Sequence, residues 1–232
     1  MNAPGSKLTD ITFHLIVEST PNAVLLVNQE GKIGYVNRQC ELLFGYDATE
    51  LIGQTVETLV PERFRPDHQA YRTGFIQAPA LRAMGAGRDL YARRKDGSEF
   101  PVEIGLNPLV LVDGTWVLAT VVDITERKQA ESRFRQVVHS APNAMVLVNR
   151  EGGIVLVNRQ ATVLFGYEEE EMLGQSVDML VPDAVRPRHG ALREGFFGNP
   201  QTRYMGAGRD LVGRRKDGVE VPIEVGLNPL NE

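Results

Sequence analysis

Two histidines, His68 in PERFRPDHQAY and His189 in PDAVRPRHG, are each followed twenty residues later by an arginine, Arg88 and Arg209. Each arginine lies in the same seven residues, MGAGRDL, at Met84–Leu90 and again at Met205–Leu211. A neutral imidazole can ligate a metal, and a guanidinium can donate hydrogen bonds to a bound ligand. Gly85 and Gly87, with Gly206 and Gly208 in the second copy, add backbone freedom, for a tight connection or for close approach to a ligand. A histidine flanked by Arg, Pro and Asp also suits an ordinary solvated helix start, so both readings stand at this point. Phosphate cradling is excluded. A dinucleotide loop needs a third glycine between a strand and a helix, and a P-loop needs Gly-Lys-Ser/Thr; here a helical segment precedes the glycines and a strand follows.

No other set of residues points to catalysis. There is no Ser/His/Asp arrangement at a recognisable spacing, and no kinase, cyclase or phosphodiesterase text, so the chain reads as a non-enzyme. Cys40 is the only cysteine, which rules out an intrachain disulfide. The RRK runs at Arg93–Lys95 and Arg214–Lys216 sit beside turns and read as solvated strand ends. A net charge of −5 argues against a nucleic-acid surface. No apolar run approaches the ~20 residues of a membrane span, and the N-terminus lacks the pattern of a signal peptide. The expectation is a cytoplasmic protein with neither a nucleic-acid nor a membrane partner.

The chain is an internal duplication. A shift of 121 residues aligns Phe13–Leu109 with Phe134–Leu230 without a gap, and about 56 of the 97 pairs are identical. Within each copy, AVLLVNQEGKIGYVNRQ and AMVLVNREGGIVLVNRQ predict a hairpin around a glycine turn. NRQCELLFGY predicts a short helix stopped by glycine, and DATELIGQ and EEEEMLGQ a second, acid-started helix. A longer helical segment follows through LVPERFRPDHQAYRTGFIQ. Two strands joined at Lys95-Asp96-Gly97 come next, then GTWVLATVVDIT as a last strand. This order gives an α+β fold: a five-stranded antiparallel sheet per copy, with short helices on one face.

The ordered set FxxxxxxxPNAxxLVNxEGxIxxVNRQ, LFGY, LxGQ, RRKDGxExPxEIxLNPL and DITERKQAE resembles the PAS sensor domain, and the resemblance covers nearly the whole chain. It implies an N-terminal helical extension at 1–12, a first domain at 13–125, a helical linker at 126–140 and a second domain at 134–232. The motif spacing is closest to haem-binding PAS domains of oxygen-sensing kinases. In those, a helix histidine ligates iron and the arginine of G-x-G-R responds to bound gas. By resemblance, His68 and His189 are then haem ligands. Gly85, Gly87, Arg88, Ile104 and Leu106 line the first pocket, and Gly206, Gly208, Arg209, Val225 and Leu227 the second. Ala83 and Tyr204 depart from the bulky aliphatics expected on the distal side. The LOV branch places its flavin-reactive cysteine in a later helix than Cys40, so flavin is the weaker expectation. Glu41 and Lys95 match positions that often form a salt bridge in PAS domains, although the second copy has Thr162 opposite Lys216.

The linker DITERKQAESRFRQVVHSAPN begins with Asp123 and Glu126, spaced for a helix cap. Good helix formers follow until Pro142, and Ala130, Phe134, Val137 and Val138 share one face. By resemblance, this helix and the N-terminal one pair with their twins in a homodimer. The second copy stops at GLNPLNE without text for the last strand, and the expectation is a fragment of a longer sensor, with a strand donated by a neighbouring chain or a distorted domain as the alternatives. The reading is a sensory relay that passes a small-molecule, gas or redox cue through helices to an output domain, such as a histidine kinase or a transcriptional regulator. The alternative is a ligand-free dimerisation module.

Overall fold

The computed structural model describes residues 14–77, 82–84, 89–111, 114–205 and 210–230. Two compact units divide the chain, Met1–Gln129 and Ala130–Glu232.

In the first unit β1 (Ala23–Val27) and β2 (Ile33–Val36) form a hairpin whose turn places Gly31 at φ 84°. Asn37 then starts α1 (Arg38–Phe44), and Gly45, in the left-handed conformation, ends it. The short α2 (Ala48–Leu51) opens on a capping box between Asp47 and Glu50. A 3₁₀ turn at Val56–Leu59 leads to α3 (Arg65–Gln77). The chain returns through β3 (Arg82–Met84), β4 (Leu90–Arg93), the long β5 (Glu99–Leu111) and β6 (Gly114–Asp123).

The sheet is antiparallel, with strand order β2-β1-β6-β5, and both β3 and β4 pair with β5. Six strand segments therefore fill the five expected positions. β3 is an addition to the expected set, so MGAGRDL begins at a strand end and not after a helix. β6 is central: it pairs with β1 from Ala23↔Val121 to Val27↔Val117 and with β5 from Val102↔Asp123 to Leu111↔Gly114. Alternation sends Leu25, Phe100, Val102, Ala119 and Val121 into one core with Cys40, Phe44, Leu51 and Leu59.

Asn37 ties four chain segments together beneath this core. Its fully buried side chain accepts from the Val24 and Cys40 amides and donates to the Val17 and Asn22 carbonyls. All of its hydrogen-bonding capacity is used, as burial requires. Residues 14–18 are helical, and Glu18 there accepts from the Tyr35 hydroxyl and the Arg38 amide. The expected N-terminal extension, 1–12, lies outside the described residues.

After β6 a single residue, Ile124, precedes α4 (Thr125–Ser140). The helix start differs in detail from the expected Asp123/Glu126 box: Asp123 accepts from the Thr125 amide and pairs with Arg94 at 2.8 Å. The Arg94 guanidinium in turn lies 3.7 Å from the centre of the Phe100 ring, so the strand end is held from the β4–β5 turn.

The second unit repeats the helical layer: β7 (Val146–Val148), β8 (Ile154–Val157), α5 (Arg159–Phe165), α6 (Glu169–Met172) and α7 (Arg186–Gly198). β9 (Arg203–Met205), β10 (Leu211–Arg214), β11 (Glu220–Ile223) and β12 (Val225–Leu227) follow. Its strands form three separate pairs, β7–β8, β10–β11 and β9–β12. Among the described residues, nothing occupies the place of β6. The buried core shrinks accordingly to Ile154, Val157, Ala161, Phe165, Met172 and Leu180.

Candidate functional site

Pro66 in the first turn of α3 suits a helix start, because the amide it lacks would have had no partner there. His68 and Arg72, one turn apart on α3, point to one side and meet the same acid. His68 Nδ1 and Arg72 Nε both lie 3.1 Å from Glu57 Oε1, on the 3₁₀ turn. Arg72 also donates through Nη1 to the Gln29 carbonyl at 3.3 Å and lies across Gly31. A Cβ at Gly31 would meet that guanidinium, the movable end of a long side chain, so it is the positive φ of 84° that calls for glycine there.

The second unit rebuilds the cluster. His189 Nδ1 lies 2.5 Å from Asp178 Oδ1, and Arg193 reaches the same oxygen at 3.2 Å while lying across Gly152. Aspartate is one methylene shorter than glutamate. Arg193 accordingly reaches it through Nη1, and its buried Nε has no partner. The sequence reading missed Glu57 and Arg72. Their signal was the shared spacing, acid to His to Arg, in both copies.

Burial alone would raise the Glu57 carboxyl, but hydrogen bonds from His68 and Arg72 outweigh it and hold the group below the ordinary carboxylate value. Asp178 is lowered in the same way, against its own burial, by His189 and Arg193. With Glu57 ionised, His68 Nδ1 carries the proton, and Nε2 is the nitrogen left to accept or to ligate. A carboxylate behind a histidine is the usual outer support of a metal-bound imidazole.

Among the described residues, no group of three or more His, Cys, Asp or Glu is placed to hold a metal ion. A metal bound by His68 would therefore have to bring its other ligands, as porphyrin iron does. Ile104 and Leu106 pack against the first unit's core, so β5 offers apolar side chains on its inner face. The donor chemistry of this cluster fits haem.

The remaining predicted residues are placed as follows. Gly85, Gly87, Arg88, Gly206, Gly208 and Arg209 lie outside the described residues. Ala83 sits on β3 opposite Gly105. Val225 and Leu227 lie on β12, paired with Met205 and Arg203, and are partly buried. Tyr204, between them on β9, is 85% exposed and points to solvent, not into an interior. Cys40 is fully buried, and burial, aided by Glu41, pushes its thiol up to about 12, which makes it a small core residue.

The expected Glu41–Lys95 bridge is corrected. Lys95 binds Glu50 at 2.6 Å, and Lys216 binds the equivalent Glu171, so Thr162 costs the second unit nothing at that position. Glu41 instead accepts from the Ala48 amide and pairs with Arg38. An open cleft beside Glu57, lined by Tyr46, Thr55, Thr58, Arg65, Arg93 and Lys95, is polar and unsuited to an apolar macrocycle.

A family model described as the PAS domain matches residues 21–126, and one described as the PAS fold matches residues 132–230. Oxygen sensor protein DosP of Escherichia coli K12 is 27% identical over 196 residues, 81% of this chain and 24% of DosP. Sensor protein FixL of Bradyrhizobium diazoefficiens is 31% identical over 116 residues, 47% of this chain and 23% of FixL. The chain thus spans about a quarter of the length of these relatives. Among solved structures, the PAS domain of an HTR-like protein from Haloarcula marismortui aligns at TM-score 0.45 and 24% identity, over 52% of this chain and 95% of that one.

Proposed function

The chain belongs to the PAS family, twice over, and on that premise we propose that it is the sensory part of a signalling protein whose first unit binds haem through His68. The observation that carries this reading is the His68–Glu57–Arg72 cluster, with similarity to a protein named as an oxygen sensor in support. Haem would supply an iron with a position open to a diatomic gas. Glu57 holds the proton on Nδ1 and so presents Nε2, Arg72 fixes the carboxylate, and Ile104 and Leu106 exclude water. Arg88 is the donor to the bound gas.

A shift in the pocket reaches β6 through its pairing with β5, and β6 hands it to α4 across Ile124. The cue then passes to the second unit and to an output domain, with no catalytic step in this chain. Exposed Leu15, Ile16, Phe134 and Val137 on helical segments support a homodimer built on them. The chain works in the cytoplasm; no helix among the described residues is long and apolar enough to cross a membrane.

The test is the absorption spectrum of the purified chain, as isolated and after adding hemin, then reduced with and without CO. A Soret band that shifts with CO, disappears in His68→Ala and survives in His189→Ala is the expected result. The same band in His68→Ala overturns the assignment. No uptake at all leaves the ligand-free dimerisation module, the reading that the exposed apolar residues of α4 favour on their own.

A further inference from the structure

The open cleft beside Glu57 has a volume of about 320 Å³, at the small end of the range for small-molecule sites. Three cations line it, each from a different element. Arg65 starts α3, Arg93 ends β4, and Lys95 lies in the turn into β5. Tyr46, Thr55 and Thr58 add three hydroxyls, none of which has a partner among the described residues.

The protein does not use all of this positive charge. Glu57, the one carboxylate in the lining, is already held by His68 and Arg72. Arg93 and Lys95 pair with Glu62 and Glu50, acids that are 71% and 40% exposed. Exposed pairs of this kind are weak and exchange readily for a better partner. Arg65 has no acid at all among the described residues. Its guanidinium donates through Nε to the Val60 carbonyl at 3.0 Å, which leaves both Nη nitrogens without a protein partner.

In the second unit the same arginine is fully engaged. Arg186, the counterpart of Arg65, donates to the Asp178 and Val181 carbonyls and pairs with Asp183 at 2.9 Å. Arg214, the counterpart of Arg93, lies 3.9 Å from that same acid. Met179 replaces Thr58 and removes a hydroxyl. Asp183 is the counterpart of Glu62, so the duplicated acid neutralises Arg186 in one unit and leaves Arg65 open in the other.

We propose that the cleft of the first unit binds a doubly charged phosphate group, free or as the ester of a small molecule. Cations supplied by three elements suit a tetrahedral dianion, whereas a planar carboxylate is matched by a single arginine fork. Arg65 donates from its two Nη nitrogens, and Arg93 and Lys95 exchange their exposed glutamates for the remaining charge. The Thr55 and Thr58 hydroxyls donate to the phosphate oxygens. The RRK run at Arg93–Lys95 is thus divided: Arg94 bonds to Asp123 and the Leu43 carbonyl, while the residues on either side of it line the cleft. None of the six side chains bonds to His68, so the site stands apart from haem binding.

The test is a titration of the whole, isotopically labelled chain with inorganic phosphate at constant ionic strength and near neutral pH, read by amide chemical shifts. Saturable shifts at Thr55, Thr58, Arg65, Arg93 and Lys95, with none at Ser176, Met179, Arg186, Arg214 and Lys216, are the expected result. Arg65→Ala raises the Kd about tenfold, and Thr58→Met and Lys95→Ala raise it about threefold each. Lys95→Ala, an exposed change, keeps the test open if Arg65→Ala does not fold. A second titration, with glycerol 3-phosphate, identifies the source: tighter binding than phosphate means an ester, and equal or weaker binding means the free ion. The proposal is overturned by shifts that do not saturate, by equal shifts in the second unit, or by succinate binding as tightly as phosphate. A Kd that neither Arg65→Ala nor Lys95→Ala raises overturns it as well.

Discussion

Along β1 the first unit buries Ala23, Val24, Leu25 and Val27; at the same places the second unit has Ala144, Met145, Val146 and Val148 and buries none of them. Away from the sheet the two units hardly differ. Asn158 and Val157 are as fully buried as Asn37 and Cys40, and Met172 is as buried as Leu51. The helical layer is thus complete within its own stretch of sequence, because its hydrogen bonds and caps join near neighbours. Burial in the sheet depends on a neighbouring strand. The same residues are core in one unit and edge in the other.

The largest expected effect removes that difference from the first unit. Ala119→Pro deletes a central ladder amide of β6 and should destabilise the first unit more than any other change named here. In hydrogen exchange, Ala23–Val27 should then become as open as residues 144–148; a first unit that keeps its protection would show that β6 is not what covers β1.

Next comes Asn37→Ala, which strands buried donors and acceptors and should cost about 2–3 kcal/mol in chemical unfolding of the first unit. Asn158→Ala should cost less, because its bond to the Met145 amide is only partly buried whereas that to Val24 is buried. Equal losses would break the distinction.

Smaller again is the acid response of the His–acid clusters. A carboxylate lowered in the folded state stabilises above its unfolded value and loses that contribution as pH falls through its folded one. For Glu57 the loss falls below pH 4.5, and for Asp178 below 3.8, the ordinary values from which each is lowered. Glu57→Gln should therefore flatten the acid unfolding of the first unit and leave the second untouched, as followed by exchange at α3 and α7. The smallest effect belongs to the exposed bridges: Lys95→Ala and Lys216→Ala should each move Tm by no more than about 2 °C, and equally.

Much of this was legible in the sequence. The duplication gave the units, Gly45 and Gly166 gave helix ends, and Lys95-Asp96-Gly97 gave a hairpin. β3 was not legible, since three residues show no alternation; it exists because β5 is long enough to pair first with β4 and then with β3. The partner of Lys95 was misread, although Glu50 recurs as Glu171 in the second copy while Glu41 does not recur. Glu57 and Arg72 left only the spacing of acid, His and Arg repeated in both copies as a signal, because nothing local tells that the 3₁₀ turn passes under α3.

The partners of Asn37 all lie within twenty positions of it, at Val17, Asn22, Val24 and Cys40. The pairing of Ala23 with Val121 closes almost the whole unit. Loop-closure entropy makes the first kind of contact quick to form and the second slow. The asparagine knot and its helix should therefore assemble early, even while the rest of the chain is still being synthesised, and β6 should insert last.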